Sequence, residues 1–274
     1  MKKSESGLGL TVVGLLLAVL SFFPVYFSLI SAFKSNGEIM RDPVALPTGL
    51  RWDNFVYLWE HTRYPAAFLR SSFLTLTSIA LIILVIPIAA YVLERKKVRF
   101  SGLIYIYFIA GMMIPFQAYM IPLFRQLKVL GLFGNMAGPI VIYVAGSIPF
   151  GTLLYASFIK GIPKEVEEAA VIDGCNTLQT FWKIVFPLLT PCTASLIILN
   201  GMSIWNDFLM PMLVLPSSQA KTVNVEIFAF VDQYASRWDV VFAGTFCSII
   251  PVLIAFVALQ QYFVKGITAG TVKG

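Results

Sequence analysis

Charge is what this sequence has least of. Of its 274 residues only 12% are charged, against 58% hydrophobic, and the mean hydropathy is +0.82. Soluble domains carry about 25% charged and about 45–50% apolar residues. A disordered chain, a coiled coil and an ordinary cytosolic enzyme are therefore excluded. Cysteine is sparse too: Cys175, Cys192 and Cys247 are too few and too scattered for a disulfide framework or a zinc knot. The single histidine, His61, excludes a His-rich metal site. What remains is an integral membrane protein.

The placement of the few charges supports this. Uncharged stretches run over Gly7–Phe33, Ser71–Leu93, Phe100–Phe124, Val129–Ile159, Ile184–Asn206 and Val240–Val264, none shorter than 23 residues. A helix needs about 20 residues to cross about 30 Å of hydrocarbon. A β-barrel would show segments of about ten residues with alternating polarity, and these blocks do not alternate. The expectation is an all-α membrane protein of six transmembrane helices, forming one membrane domain over residues 1–274 with no soluble domain at either end. The first block follows Lys2 and Lys3, as a signal peptide would, but its apolar run far exceeds the roughly 7–15 residues of a signal h-region. A retained anchor is expected.

Lysine and arginine near the span ends set orientation. With the N-terminus inside, the cytoplasmic segments hold Lys2, Lys3, Arg95, Lys96, Lys97, Arg99, Lys160, Lys164, Lys183, Lys265 and Lys273, eleven of twenty basic residues. Density discriminates better than the tally. Arg95, Lys96, Lys97 and Arg99 crowd one short loop, whereas Lys34 to Arg70 spreads its basic residues among acids. The turn Arg125 to Lys128, expected outside, runs against the trend. Both termini are expected in the cytoplasm.

The outer segment from Lys34 to Arg70 reads as turns around a short amphipathic piece, Asn54 to Trp59. Trp52, Tyr57 and Trp59 there, and Tyr234 and Trp238 in the second outer segment, fit interfacial aromatic anchors. Pro24, Pro87, Pro115, Pro149 and Pro251 fall inside spans and predict kinks, because each removes a backbone donor.

The segment between the fourth and fifth spans carries the most information. Pro163 suits the first turn of a helix, and Glu165, Glu167 and Glu168 favour its positive end. Val166, Ala169 and Ala170 share a small apolar face, and Gly174 is placed to stop that helix in a left-handed conformation. Asn176 then caps a second helix with Gln179 as capping-box partner. Leu178, Phe181, Trp182 and Val185 form its apolar stripe, and Pro187 ends it. Two short helices meeting at a glycine make either a knob that another protein could grip or a pair of membrane-surface helices.

Here the chain resembles a known family. Glu168-Ala169-Ala170, three residues, Gly174, nine residues, then Ile184-Val185-Phe186-Pro187 is similar to the EAA loop of bacterial ABC importer permeases, with Phe186 replacing the usual leucine. Trp205-Asn206-Asp207-Phe208 followed by Pro211 resembles a segment of the carbohydrate-uptake branch. The end from Gln261 to Gly274 is similar to the tail of its maltose-type six-span permeases. The resemblance implies the type I importer permease fold in the bacterial inner membrane. It further implies pairing with a second, homologous permease, two ATPase subunits below, and a solute-binding protein that delivers a sugar from outside. ATP and magnesium would then sit on the ATPases, with no cofactor in this chain, which has no phosphate-binding G-x-x-x-x-G-K-[ST] loop.

On that resemblance the loop couples to an ATPase. Ala169 and Ala170 would permit close approach, Glu168 would meet basic residues, Asp173 would fix the turn by hydrogen bonds and Gly174 would supply it. The second expectation concerns Asn200, Ser203 and Asp207, a polar stripe on the fifth span. These residues either line a translocation path or hydrogen-bond between helices within the subunit. Permeases for a polyol or glycerol phosphate are the near alternative. An ion-coupled carrier is the more distant one, disfavoured because the spans lack mid-membrane ionisable residues.

Overall fold

The computed structural model describes residues 5–96, 99–216, 220–231 and 237–271. Lys2, Lys3, Lys97, Tyr234 and Lys273, used above for orientation and anchoring, lie outside the described residues, as does the end of the tail. The described residues form helices α1 (Glu5–Ala32), α2 (Asn36–Arg41), α3 (Asp53–Glu60), α4 (Tyr64–Arg95), α5 (Ser101–Met112), α6 (Phe116–Val129) and α7 (Ala137–Lys160). These are followed by α8 (Lys164–Ile172), α9 (Thr177–Thr180), a π-helical turn (Phe181–Val185), α10 (Phe186–Leu188), α11 (Thr190–Asn206), α12 (Leu209–Val214), α13 (Val223–Phe228) and α14 (Trp238–Thr271).

Among the described residues four helices are long and apolar enough to cross a membrane, and up to six spans result if each of two bent pairs counts as one. The six uncharged blocks thus map onto four straight candidate spans and two bent pairs. The pair α5 and α6 bends by 103°. Pro115 sits there in an extended conformation, φ −66° and ψ 143°, as N-cap of α6. It breaks the span outright rather than kinking it, because proline disfavours a helical residue before it and offers no N–H. Arg125 and Lys128, expected in a turn, instead lie in the last turns of α6. The chain reverses one step later, at Gly131 with φ +68°. Leu132 N–H donates to Leu127 O and Gly131 N–H to Lys128 O, the paired bonds of a Schellman ending.

Two compact units are present. The first comprises Met1–Phe68 and Val223–Pro251. Its core gathers Leu58, Tyr64, Ala67, Val223, Ile227, Val240 and Ala243. Buried Asn54 donates to Ala32 O and Lys34 O at 2.9 and 2.8 Å, satisfying carbonyls that the end of α1 leaves free. Buried Lys34 in turn donates to Asp42 O and Pro43 O, both at 3.1 Å. Trp52 and Trp59 are exposed, as anchors should be. Tyr57 is not: it stacks on His61 at 5.4 Å and lies under the Arg237 guanidinium at 4.6 Å, so its ring face is committed within the unit.

Glu38 holds the loop after α1 together. It closes a capping box with Ser35 and accepts from the Thr48 hydroxyl. The Thr48 hydroxyl first, then the Ser35 amide and hydroxyl, hold its carboxyl down from the ordinary 4.5 to about 2. A lowered carboxylate contributes stability that is complete above its unfolded value and lost as pH falls toward its folded one. Amide protection at Ser35 and Thr48 should therefore be constant from pH 8 to about 5 and collapse between about 4.5 and 2. Hydrogen exchange across this range measures it, and a Glu38→Gln variant should show weak protection at every pH.

The second unit, Leu69–Thr222 and Val252–Gly274, has its core where α4, α7 and α11 meet the π-helical turn. Leu74, Ile82, Ile86, Ala90, Tyr155, Ile159, Phe181, Val185, Cys192 and Leu196 are all buried there. Helices α4 and α7 approach closely at Gly151, where an added Cβ would lie 3.0 Å from Ile86 side-chain carbons. Small residues at such crossings are the usual device of membrane helix packing. Helix α5, by contrast, has no buried residue, and its apolar surface suits lipid or a partner.

Candidate functional site

Two neighbourhoods of the second unit carry the residues singled out by sequence. The first is the turn between α8 and α9. Pro163 is the N-cap of α8, one residue before its expected place. Gly174 has φ +86°, Gly174 N–H donates to Val171 O at 3.0 Å and Cys175 N–H to Ala170 O at 2.9 Å. This is again a Schellman ending, made by backbone groups alone. The Asp173 carboxylate is exposed and takes no part, contrary to expectation. Asn176 and Gln179 form the expected capping box in both directions.

Pro187 does not end the second helix. The Phe186 N–H bonds to Phe181 O, five residues back, so the helix widens into a π turn. Pro187 then falls in the first positions of α10, where a missing N–H costs nothing. Helix continues to Leu188, and a 75° bend separates it from α11. The start of the uncharged block Ile184–Asn206 therefore belongs to the segment before the bend. Of the expected stripe, Phe181 and Val185 are buried, Trp182 packs against them, and Leu178 is 62% exposed.

Helix α8 has two faces. Glu168 and Ala169 are exposed, with Val171 and Ile172 beside them. Ala170 is buried within this chain, at 5% exposure. The small face expected to hold both alanines is therefore divided, with Ala170 packed inside the chain and Ala169 exposed. The outward small residue is Ala169.

On the inward face stands Glu167, which the sequence suggested only as a helix-start charge. One carboxylate oxygen accepts from Arg95 Nε at 2.6 Å and the other from Tyr91 Oη at 2.7 Å. Arg95 Nη2 also donates to Ile159 O at 2.8 Å and Ile162 O at 2.6 Å. The two charged side chains are only 8% and 14% exposed. Removing one partner of a buried pair costs about 3–5 kcal/mol. Arg95 entered the sequence argument only as a topology signal, and no periodicity links residues 72 positions apart. A cleft of about 380 Å³ lies beside this cluster, lined by Tyr91, Lys96, Glu167, Glu168, Val171 and Ile172 among others.

The second neighbourhood is a cleft of about 420 Å³ whose walls include Asn200, Ser203 and Asp207 together with Phe116, Tyr119, Tyr143 and Ser147. The three expected residues therefore share one surface. Tyr143 Oη donates to Asp207 Oδ2 at 2.8 Å. Ser147 Oγ lies 2.7 Å from both Asn200 Oδ1 and Tyr143 O, which share its one proton. Asp207 Oδ1 accepts from Met210 N–H at 3.3 Å, starting α12 where α11 ends. Asn200 and Asp207 thus bond between helices, to α7, and also line the cleft. Ser203 is exposed. Tyr143 and Ser147 were missed, although one helical turn separates them on α7 and a tyrosine within a span needs a polar partner. Among the described residues no group of three or more His, Cys, Asp or Glu side chains could hold a metal.

Comparison with known proteins adds the decisive observation. The profile for "Binding-protein-dependent transport system inner membrane component" matches residues 85–269, which include both neighbourhoods. The chain belongs to this family. It is a transport subunit, not an enzyme. Relatives extend over nearly its whole length. The probable starch degradation products transport system permease protein AmyC of Thermoanaerobacterium thermosulfurigenes is 36% identical over 96% of each chain. The multiple sugar-binding transport system permease protein MsmG of Streptococcus mutans is 34% identical over 96% of this chain and 95% of the relative. The melibiose/raffinose/stachyose import permease protein MelC of Bacillus subtilis is 32% identical, over 97% and 96%. In fold, the chain matches a subunit of a bacterial ABC transporter that imports alginate, with a TM-score of 0.84 at 24% identity, covering 96% of this chain and 99% of that one. The architecture is that of an ABC importer permease. Such a permease works with ATPase subunits and a solute-binding protein in the inner membrane.

Proposed function

We propose that this chain is the permease subunit that carries a sugar or oligosaccharide through the inner membrane, by alternating access driven by partner ATPases. The observation that carries the proposal is the identity of 32–36%, over almost the full length, to permeases named for starch products, multiple sugars and raffinose-type oligosaccharides. Both neighbourhoods fit it. The exposed face of α8, with Glu168, Ala169 and the turn at Gly174, is the ATPase-coupling surface, and the inward Ala170 seats it. Asn200, Ser203 and Asp207 line the translocation path, where carboxylate, amide and hydroxyl groups beside Phe116 and Tyr119 offer hydrogen bonds and aromatic faces to a polyhydroxyl solute.

In the working assembly a second, homologous permease faces this one and two ATPases lie below. ATP and magnesium reside on the ATPases, and a binding protein docks outside. ATP binding draws the coupling loops together, and the spans switch between the two access states as rigid bodies. Both termini and the α8–α9 turn are cytoplasmic.

Orientation and energy source are tested together. Cys175, beside the turn, is partly exposed and free. A membrane-impermeant maleimide should leave it unmodified in intact cells and label it in inverted vesicles; labelling from outside would overturn both the orientation and the coupling surface. In proteoliposomes holding the assembled transporter, uptake of a labelled oligosaccharide should require ATP and binding protein. Uptake that persists on an ion gradient without ATP would identify a secondary carrier instead.

A further inference from the structure

The Arg95–Glu167 cluster does something that neither the coupling surface nor the cleft explains. Arg95 is the last residue of α4, and Tyr91 lies one turn before it. Ile159 is in the last turn of α7, and Ile162 is in the link to α8. A single guanidinium therefore joins the ends of two spans to the helix that follows them. Its position suits a cation, because the last carbonyls of a helix lack partners and carry partial negative charge. Its planar fork reaches three acceptors, which a lysine ammonium on a flexible stem cannot hold in the same way. The nearby Glu94–Lys160 pair, at 3.7 Å with Lys160 59% exposed, adds little, as exposed pairs generally do.

We infer that Arg95, with Glu167 and Tyr91, is a positioning clamp that fixes α8 to α4 and α7, so that displacement of α8 by the ATPase moves both spans as one body. The inference rests on the reading of α8 as the ATPase-coupling helix. Glu168 and Ala169 face outward toward the partner, while Glu167 faces inward, and the helix is a lever only if its inner side is held. A buried charge pair suits this task because it is directional and has few alternative seats, whereas an apolar contact could slide.

The experiment uses the complete transporter in proteoliposomes and measures solute taken up per ATP hydrolysed. Glu167→Gln keeps an acceptor for Tyr91 but removes the charge, and Arg95→Lys keeps the charge but loses the fork. For each, the ATPase subunits should remain bound and hydrolysis should continue, while uptake per ATP falls by about tenfold, within the range found for residues along a coupling route. The double variant should fall no further than the worse single one, because both remove the same link. Should Glu167→Gln fail to assemble, Tyr91→Phe removes one hydroxyl only, and should lower the same ratio by about threefold. A ratio equal to wild type in the assembled variants, whatever the absolute rates, would reduce the cluster to static stabilisation and overturn the inference. An Ala169→Trp complex run in parallel separates the two claims. If it transports normally, the coupling surface itself is misplaced; if it stops while the clamp variants keep their ratio, only the clamp is wrong.

Discussion

Ala169→Trp should abolish ATP-driven uptake while leaving the protein folded and inserted, whereas Ala170→Leu should act first on stability. Ala169 is exposed on the outer face of α8, so a bulky ring there stays outside the core of this chain and blocks close approach of the ATPase. Ala170 is buried inside the chain, and added methylenes in a packed site cost about 1–3 kcal/mol. Detergent-solubilised Ala170→Leu should therefore unfold several degrees lower than wild type, whereas Ala169→Trp should not. Gly174 gives a graded companion series. At φ +86° with no atom within 4 Å of a built Cβ, its replacement is limited by backbone conformation rather than space. A left-handed residue costs about 1–2 kcal/mol, least for Asn and Asp. Uptake should thus decline in the order Gly, Asn, Asp, Val if backbone dominates. Asp falling below Val would show that a negative charge at the partner contact matters more. Full uptake by Ala169→Trp together with Gly174→Val would leave α8 and α9 as mere surface helices.

What the sequence made legible here follows from how local each feature is. The four straight spans depend on continuous apolar runs, and the left-handed Gly174 and the Asn176–Gln179 box on neighbours within one or two turns; each appears where composition and spacing put it. The breaks were harder. Uncharged length cannot distinguish a straight span from α5 and α6 folded apart at Pro115, since both bury apolar residues away from water. The π turn before Pro187 was invisible because a widened helix has nearly the same apolar pattern as a regular one. The facing of Ala169 and Ala170 needed tertiary structure: a run of small residues says that something is close, not on which side. The charged clamp was least accessible. Arg95 and Glu167 belong to different segments, and each has an adequate local explanation, so nothing in the sequence joins them.

Because the cleft network has both a structural and a path-lining aspect, substitutions at Asp207 should separate the two. Asp207→Leu removes the acceptor for Tyr143 Oη and for Met210 N–H. Both donors then lose their acceptor and the start of α12 loosens, so uptake should fall by about tenfold or more. Asp207→Asn retains one acceptor and should keep uptake within a few-fold of wild type, unless the charge itself is required. Tyr143→Phe takes the donor from Asp207 Oδ2 but leaves Oδ1 its bond from Met210 N–H, so uptake should fall further than in Asp207→Asn and less than in Asp207→Leu. Ser203 then decides whether the cleft meets solute. It is exposed on the same wall and its hydroxyl is outside the Tyr143–Asp207 and Ser147–Asn200 pairs, so Ser203→Cys should preserve both. If the cleft is part of the path, transported sugar should slow maleimide modification of Ser203→Cys at least about tenfold, because a pocket closes around most of its occupant's surface and leaves the reagent little access. Equal labelling with and without sugar, in a variant that still transports, would confine Asn200 and Asp207 to joining α11 with α7.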